Sequence, residues 1–292
     1  MNTRQLIRRC IAIVRQYVLP RPLGRDESQK CIALFLSSPH PCMIGRFGSA
    51  EIQAVVNSIL PPPFSQILRK RTWNHIGNNA GFFPVNSQTL SQFKDLMIAS
   101  MKQCDVLASW RIEESLFRKE LKHTIRIPLS ELGPIDENGS WHYVLEGKKV
   151  LVISPFAELI REQYDNKRTL IWQNGHVLPP FEKLLTLKAV NSIGGHCEFS
   201  SWFEALDWMK QEINKMDFDI AILGCGAYGF PLAAHIKQIG KKAIHIGGAT
   251  QLFFGIKGKR WENATFINEH WVSPRIEDRP KGWENVEGGC YW

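Results

Sequence analysis

Residues 217–249 constrain the fold more than any other part of the chain. They read DFDIAILGCGAYGFPLAAHIKQIGKKAIHIGGA, in which an apolar run leads through a glycine-rich turn and a helical pattern to a second apolar run. Residues 148–156, KKVLVISPF, form another apolar run, and a predicted helix follows from Ala157. Short strands that alternate with helices are typical of βαβ units and of a mainly parallel sheet. We therefore predict an α/β fold with a Rossmann-like, mainly parallel sheet flanked by helices.

The remaining elements are predicted from the same periodicities. Ligands of such sheets bind beyond the carboxyl ends of the strands, so the functional residues are expected in the loops there. The segment HIGNNAGFFP is predicted to be one of these loops, and no structure is assigned to the segment that starts at Trp261. Helices are predicted over 26–38, 50–59, 87–102 and 200–216, strands over 42–47, 104–110 and 187–193, and the HIGNNAGFFP loop over 75–84.

The first 24 residues are predicted to form a basic amphipathic helix, separate from an α/β domain over 25–292. Residues 1–30 hold seven basic and two acidic groups, which makes +5 of the total net charge of +8. Arg4, Arg8 and Arg15 lie along one edge of an apolar face. The helix either docks on the domain or lies on an anionic membrane surface. Nucleic acid is not expected as a partner, because aromatic residues do not alternate with a basic stripe elsewhere.

Two further patterns bear on location. No apolar run approaches the roughly 18 residues of a membrane-spanning helix, and the N-terminus lacks the pattern of a secretory signal. The seven cysteines include no C-x-x-C pair, which indicates free thiols rather than disulfides or zinc ligands. We expect a cytoplasmic protein, at the cytoplasmic face of the inner membrane if the N-terminal helix binds lipid.

The glycines of LGCGAYG allow three interpretations. Gly224, Gly226 and Gly229 form a G-x-G-x-x-G between a predicted strand and helix, which is the context of the dinucleotide fingerprint. That fingerprint requires an acidic residue at the end of the next strand, where this chain has His245. An NAD(P)-dependent oxidoreductase, an anion site at a helix N-terminus and tight strand–helix packing all remain open.

The segment GGATQLFFGIKGKRW, residues 247–261, is predicted to bind a diphosphate. Lys257, Lys259 and Arg260 are spaced by glycine and follow a strand, so they could neutralise a departing diphosphate. Gly248 and Gln251 add close-approach and polar character at the same strand end. The alternative is a solvated basic loop.

The stretch IGRFGSAEI, residues 44–52, places two opposite charges around a tight turn. Ser49 is the predicted N-cap of a helix, and Glu51 would then lie in its first turn, where the helix dipole stabilises a carboxylate by about 0.3–1 kcal/mol. Arg46 ends a strand that should be buried, and a buried charge needs a partner. Arg46 and Glu51 are therefore predicted either to form an ion pair or to bracket an anion and its metal.

The R-F-G-x-x-E of this stretch is similar to the R-F-G-D-G-E motif of the GT-D-type bacterial glycosyltransferases. The later strand–helix–strand units resemble the same family in order and spacing, so the likeness covers about residues 40–260. It implies that Glu51 binds a divalent cation, Mn²⁺ or Mg²⁺, together with the diphosphate of a nucleotide sugar, a UDP-sugar in the favoured case. Ser49 replaces the first acid of the family motif, which implies weaker dependence on the metal.

The resemblance implies transfer of a sugar to a lipid-linked or polysaccharide acceptor in bacterial cell-surface glycan synthesis, such as that of lipopolysaccharide. A general base is sought among His75, His196, Glu198 and His245. A sugar-nucleotide-binding protein without activity remains an alternative, as does the oxidoreductase. The predicted catalytic residues are Arg46 and Glu51, and the predicted donor-binding residues are Gly48, Ser49, Asn78, Asn79, Gly224, Gly226, Gly248, Gln251, Lys257, Lys259 and Arg260.

Overall fold

The structure is a computed structural model that describes residues 20–134, 140–172, 175–192 and 197–292. The predicted N-terminal helix lies outside the described residues, apart from residues 20–24, which are not helical. His196, one of the candidate bases, also lies outside them.

The described residues contain a seven-stranded sheet in the order β3-β2-β1-β7-β6-β4-β5. Every neighbouring pair is parallel, which confirms the predicted fold class. The central strands are buried on both faces, as their unbroken apolar runs predict. The strands are β1 Cys42–Gly45, β2 Val106–Ser109, β3 Ile125–Pro128, β4 Lys149–Ser154, β5 Lys183–Lys188, β6 Ile220–Leu223 and β7 Lys242–His245.

Helices cover both faces of this sheet and bury a separate apolar core on each. One core lies beneath α2, α3, α4, α6 and α7, and the other lies beneath α1, α5 and the C-terminal segment. In the part of the chain that is described, no helix has the length and apolarity to cross a membrane. The helices are α1 Arg25–Ser37, α2 Ser49–Ile59, α3 Phe64–Ala80, α4 Ser87–Met101, α5 Ala157–Ile171, α6 Trp202–Asn214, α7 Gly229–Gln238 and α8 Thr250–Phe253.

The predicted loop over 75–84 is wrong, because its first half belongs to α3. Thr72, Ile76 and Ala80 are buried at intervals of four residues, so one face of the helix packs on the domain. This burial outweighs the weak helix propensity of the glycine and asparagines nearby. The helix ends at Gly81, whose φ of 72° is the left-handed conformation common after helices.

The strand predicted over 187–193 begins and ends earlier, as β5, and overlaps the prediction only at residues 187 and 188. β5 is an edge strand that pairs only with β4 among the described strands, with Val150 opposite Leu184 and Ser154 opposite Lys188. Three of its six residues are half-buried and two are exposed. A half-buried edge strand carries a weak apolar signal, so its register is decided by its pairing with β4.

The segment after Trp261 packs onto the domain in short turns. Trp271 and Trp292 are buried in the core that also holds β4 and α5. An isolated parallel bridge joins Ile256 to Val272, and Arg260 N–H donates to the carbonyl of Cys290. The C-terminal segment is therefore part of the α/β domain and ends beside the strand ends.

Candidate functional site

A cavity of about 690 Å³ opens at the carboxyl ends of the sheet. The turns after β1, β4, β6 and β7 line it, and these four strands are neighbours in the sheet. The last turns of α3 and the C-terminal segment form its sides. We call this cavity the cleft. Its size is that of a small-molecule site, and its place is the one that parallel sheets use for ligands.

The turn between β1 and α2 forms the centre of the cleft wall. Gly48 is the N-cap of α2 and Ser49 is its first helical residue, so the prediction of Ser49 as N-cap is wrong by one position. Glu51 lies in the first turn, as predicted. A methyl group on Gly48 would overlap the Glu51 carboxylate, so the glycine is needed for that carboxylate to fold back over the turn.

Glu51 is a largely buried residue whose carboxylate is open to the cleft. The residue is only 8% exposed and lines the cleft. None of the described residues donates a hydrogen bond to this carboxylate or forms an ion pair with it. A carboxylate at the cleft surface that no described protein group pairs is available to bind a cation together with substrate phosphates.

Arg46 is half-buried on the opposite side of the same turn. Its Nη1 donates to the carbonyl of Phe47 at 3.3 Å, and its guanidinium lies against Gly247. Gly247 has a φ of 78°, and a side chain there would overlap the guanidinium. Arg46 and Glu51 do not form the ion pair that was one of the two expectations. Both side chains line the cleft instead.

The three glycines of the G-x-G-x-x-G are explained by packing. A side chain on Gly224 would overlap Thr250, and one on Gly229 would overlap the ring of His245. Gly226 has a φ of 55° and lies close to the carbonyl of Ala80. Gly224 and Gly226 nevertheless line the cleft, so their backbone remains close to any ligand there.

His245 is buried at the end of β7, and it does not line the cleft. Burial lowers its pKa to about 3, with a contribution from Arg46 and a smaller opposing one from the Leu223 carbonyl. It therefore stays neutral and cannot replace the acidic residue of a dinucleotide site. Among the other candidate bases, His75 lines the cleft and contacts Gln53 at 3.1 Å, whereas Glu198 is exposed outside it.

The basic loop divides between the cleft and the outer surface. Arg260 lines the cleft, forms an ion pair with Glu287 and lies over the ring of Tyr291, 4.8 Å from its centroid. Lys257 and Lys259 do not line the cleft. Their backbone N–H groups donate to the C-terminal segment, at Val272 and Trp292, and this contact directs the two side chains elsewhere.

Of the other predicted donor-binding residues, some line the cleft and some do not. Asn79 and Gly248 line the cleft, but Asn78 is exposed because neighbouring residues of a helix point about 100° apart. Gln251 lies in the cleft wall, where its Nε2 donates to the carbonyls of Ile256 and Tyr291. Its amide nitrogen therefore holds the loop together.

Several cleft residues were not predicted from the sequence. Ser154 is the last residue of β4 and Trp110 directly follows β2, and these positions at strand ends could have identified both residues. The Trp110 indole donates to the carbonyl of Phe47 at 2.8 Å and so fixes the turn that carries Glu51. Glu287 and Tyr291 come from the C-terminal segment, which has no periodic pattern that could place them.

The cleft fits a divalent cation only if a substrate supplies part of its ligands. Within the described ranges, no three His, Cys, Asp or Glu side chains come together as a metal site. Mg²⁺ in enzymes is commonly held by one or two carboxylates together with substrate phosphates. The free carboxylate of Glu51 and the nearby hydroxyl of Ser49 fit a cation that is shared with a diphosphate.

Comparison with known families gives one match. Residues 131–253 match the model of the GT-D-like family, described as a GT-D fold-like domain. The match contains β4 to β7 and the glycine-rich turns, and it supports the GT-D resemblance over that part of the chain. It does not contain the turn with Arg46 and Glu51.

Two solved structures are similar to the chain at low identity. One is a selenomethionine-substituted domain of unknown function 1792, with 11% identity and a TM-score of 0.45, covering 87% of this chain and 96% of that one. The other is described as a new glycosyltransferase from Streptococcus sanguinis, with 12% identity and a TM-score of 0.41, covering 89% of this chain and 96% of that one. No curated protein matches the chain.

Proposed function

We propose that this chain, which carries a GT-D-like domain over residues 131–253, is a glycosyltransferase that uses a nucleotide-sugar donor. The donor, a UDP-sugar in the favoured case, would lie in the cleft with its diphosphate beside the β1–α2 turn. The acceptor would be a glycan or a lipid-linked sugar. Manganese or magnesium would be held by Glu51 and the donor phosphates.

The carboxylate of Glu51, which lines the cleft and has no partner among the described residues, carries this proposal. It faces a cleft large enough for a nucleotide sugar, on a turn whose glycine leaves room for it. A cation bound to Glu51 would supply its missing partner and would stabilise the negative charge of the leaving diphosphate.

Two arginines support a role in stabilising the leaving group. Arg46 and Arg260 both line the cleft. When the bond between the sugar and the diphosphate breaks, negative charge increases on the diphosphate, and guanidinium groups that face it lower the barrier. Arg260 is now paired with Glu287, so a diphosphate would have to compete with that carboxylate for it.

Two side chains that line the cleft could accept the proton of an attacking hydroxyl. His75 and Glu287 both line the cleft, on opposite sides formed by α3 and the C-terminal segment. A base must lie within hydrogen-bond reach of the acceptor hydroxyl. We propose His75 for this role, because Glu287 is engaged with Arg260. The Gln53 contact to its Nδ1 leaves Nε2 for the acceptor.

The test compares Glu51→Gln with Glu27→Gln. Both residues lie in the first turn of a helix three residues after a glycine, but Glu27 is far from the cleft lining on the exposed start of α1. Turnover is measured with UDP-, GDP- and CMP-sugars and Mn²⁺. It should fall at least about a hundredfold in Glu51→Gln, because removal of a group that stabilises developing negative charge typically has an effect of this size. It should stay unchanged in Glu27→Gln.

Thermal shifts with the same donors and with NAD(P) separate the alternatives. Stabilisation by a nucleotide sugar, with turnover that depends on Glu51, supports the proposal. Stabilisation by NAD(P) alone would identify an oxidoreductase. Binding of a nucleotide sugar with no hydrolysis or transfer by the wild-type chain would identify a binding protein.

A further inference from the structure

The first half of α3 projects from the domain. Every residue from 66 to 71 is exposed, and so are 61–64 before them. The described buried positions of this helix are Thr72, Ile76 and Ala80, all in its second half. In its first turn, the carbonyl of Ser65 accepts a hydrogen bond from Asn57 Nδ2 at 3.0 Å.

Large apolar side chains occupy one face of this projecting half. Phe64 is 61% exposed, Ile67 is 74% exposed and Leu68 is 42% exposed. Their spacing of three and four residues places them side by side on the helix surface. Phe64 and Leu68 continue the row of four-residue spacing that Thr72 and Ile76 bury, so this row is exposed in the first half of α3 and buried in the second, whereas Ile67 points away from it. Exposed apolar clusters of this kind mark interaction sites.

The charges beside this face are all positive. Arg69, Lys70 and Arg71 follow the apolar residues directly, and all three are exposed. The sequence has no Asp or Glu between Glu51 and Asp95. Arg71 lies on the apolar face itself, one turn after Leu68, and Lys70 lies at its edge. A basic, apolar helix face of this kind complements an anionic, partly apolar partner.

The positive charge of this face argues against two other binding partners, namely residues 1–19 of the same chain and a second copy of the protein. Residues 1–19 carry Arg4, Arg8, Arg9 and Arg15 and no acidic residue, so their own charge would repel this face. A second copy that met it face to face would oppose three positive charges with three more. An anionic lipid surface meets both requirements at once, because it offers phosphate groups above an apolar layer.

We propose that the projecting half of α3 docks on an anionic membrane surface. Phe64, Ile67 and Leu68 enter the boundary between headgroups and acyl chains, and Lys70 and Arg71 contact lipid phosphates. The other end of α3 carries Asn79, which lines the cleft. At 1.5 Å per residue, Ile67 and Asn79 are about 18 Å apart along the helix. Docking therefore holds the cleft within reach of a lipid-linked substrate.

The first experiment measures binding of the full chain to sedimented vesicles. Vesicles of phosphatidylglycerol and phosphatidylcholine should retain the wild type, and pure phosphatidylcholine should not. Because each basic residue at such a surface changes partitioning about fivefold, Lys70→Gln/Arg71→Gln should lower binding roughly twenty-five-fold. Phe64→Ser/Ile67→Ser should also lower it at least tenfold. All variants should keep the wild-type melting temperature, since the changed residues are exposed.

Matched controls show whether location matters or only charge and apolarity. Lys119 and Lys122 are exposed outside this face, so Lys119→Gln/Lys122→Gln removes the same charge. Leu34 is 70% exposed on α1 and Ile276 is 81% exposed near the C-terminus, so Leu34→Ser/Ile276→Ser removes comparable apolar surface. Both control variants should bind vesicles as the wild type does. Equal losses in test and control variants would overturn the proposal.

Hydrogen exchange of the full chain distinguishes α3 from the N-terminal segment. Anionic vesicles should slow amide exchange in residues 64–71 at least tenfold. Protection confined to residues 1–19 would overturn the proposal, and so would a dimer in solution that Phe64→Ser/Ile67→Ser dissociates. These readouts need no sugar donor, so their failure is separate from failure of the proposed enzyme activity.

Discussion

The chain starts two helices with the same local pattern and uses them differently. Gly24 and Gly48 are both N-caps with extended backbone, and each is followed three residues later by a glutamate. Glu27 is exposed, and its Oε2 accepts a hydrogen bond from Gly24 N–H at 3.0 Å. Glu51 is 8% exposed and has no such bond within the described structure.

The surroundings of the two helices account for the difference. The first helix begins at the surface, where the carboxylate is solvated and satisfies the helix end as a capping residue does. The second helix begins at the end of β1, between β2 and β7, where the carboxylate faces the cleft. The same pattern thus forms a helix cap at one site and a candidate ligand-binding group at the other.

A third glutamate shows how this protein treats a buried carboxylate that has a structural role. Glu114 follows β2, next to β1 in the sheet, and is fully buried. It forms an ion pair with Arg126 at 2.7 Å and accepts hydrogen bonds from Ser109 and from two backbone N–H groups. Every oxygen of this carboxylate has a donor, in contrast to Glu51.

The largest expected effect is on stability, at Glu114. Glu114→Gln leaves Arg126 buried without an opposite charge, which should lower the free energy of unfolding by about 3–5 kcal/mol. Glu51→Gln removes no ion pair and should change it by less than about 1 kcal/mol. Urea unfolding of both variants measures the difference. If Glu51→Gln lowers the free energy of unfolding as much as Glu114→Gln does, Glu51 has a structural role like that of Glu114.

Low pH should lower the free energy of unfolding through His245, which is buried near Arg46 at the end of the sheet that carries the cleft. The pKa of His245 is about 3 in the folded protein, against an ordinary value of 6.5. Neutral His245 therefore makes its full contribution to the free energy of unfolding above pH 6.5. This contribution is lost as the pH falls towards 3, because only the unfolded chain takes up the proton. Each such group contributes about 1.4 kcal/mol per pH unit in this window.

Unfolding measured between pH 6 and 4 tests this contribution. His245→Phe keeps a ring against Gly229 but removes the proton-binding group, so its stability should fall less steeply with acid than that of the wild type. An identical slope in the two proteins would contradict the low pKa.

The third prediction compares donor turnover after alanine substitution of the two N-cap glycines, Gly48 and Gly24. Gly48→Ala places a methyl group where the Glu51 carboxylate lies, whereas the methyl of Gly24→Ala would be 3.4 Å from Glu27 Oε2, an ordinary contact. Because both changes remove a glycine N-cap, their cost to the helix should be similar. Gly48→Ala should therefore lower donor turnover about tenfold, which is about 1.4 kcal/mol in the barrier, with no matching loss in Gly24→Ala. Equal turnover in the two variants would show that the position of Glu51 is unimportant.

The smallest effect is expected at Glu27. Glu27→Gln weakens a solvated contact at a helix N-terminus and should cost at most about 0.3–1 kcal/mol of stability. Salt screens such a contact, so the cost should shrink when unfolding is measured in high salt. A cost above about 2 kcal/mol would mean that Glu27 also has a partner beyond its own helix end.

The sequence predicted the α/β class, six of the seven described strands at least in part, and the turn with Arg46, Gly48 and Glu51. These features depend on residues close together in the chain, since apolar runs and helical periodicity are local signals. The strand β3 was not predicted, and the end of α3 was taken for a loop because asparagine and glycine are weak helix formers. The burial of Ile76 and Ala80 reversed that local preference.

Tertiary structure decided which charged groups have partners. Glu27 and Glu51 lie in the first turn of an α-helix, and Glu114 lies in the first turn of the 3₁₀-helix Ile112–Phe117. Nothing within three or four residues reveals that only Glu114 has an arginine across from it. It also brought Glu287 and Tyr291 beside Arg260 while Lys257 and Lys259 point elsewhere. Contacts between residues far apart in the chain depend on how the strands are ordered and where the C-terminal segment runs. The sequence therefore determined the elements and the turn, and packing determined which carboxylate was left free to bind a ligand.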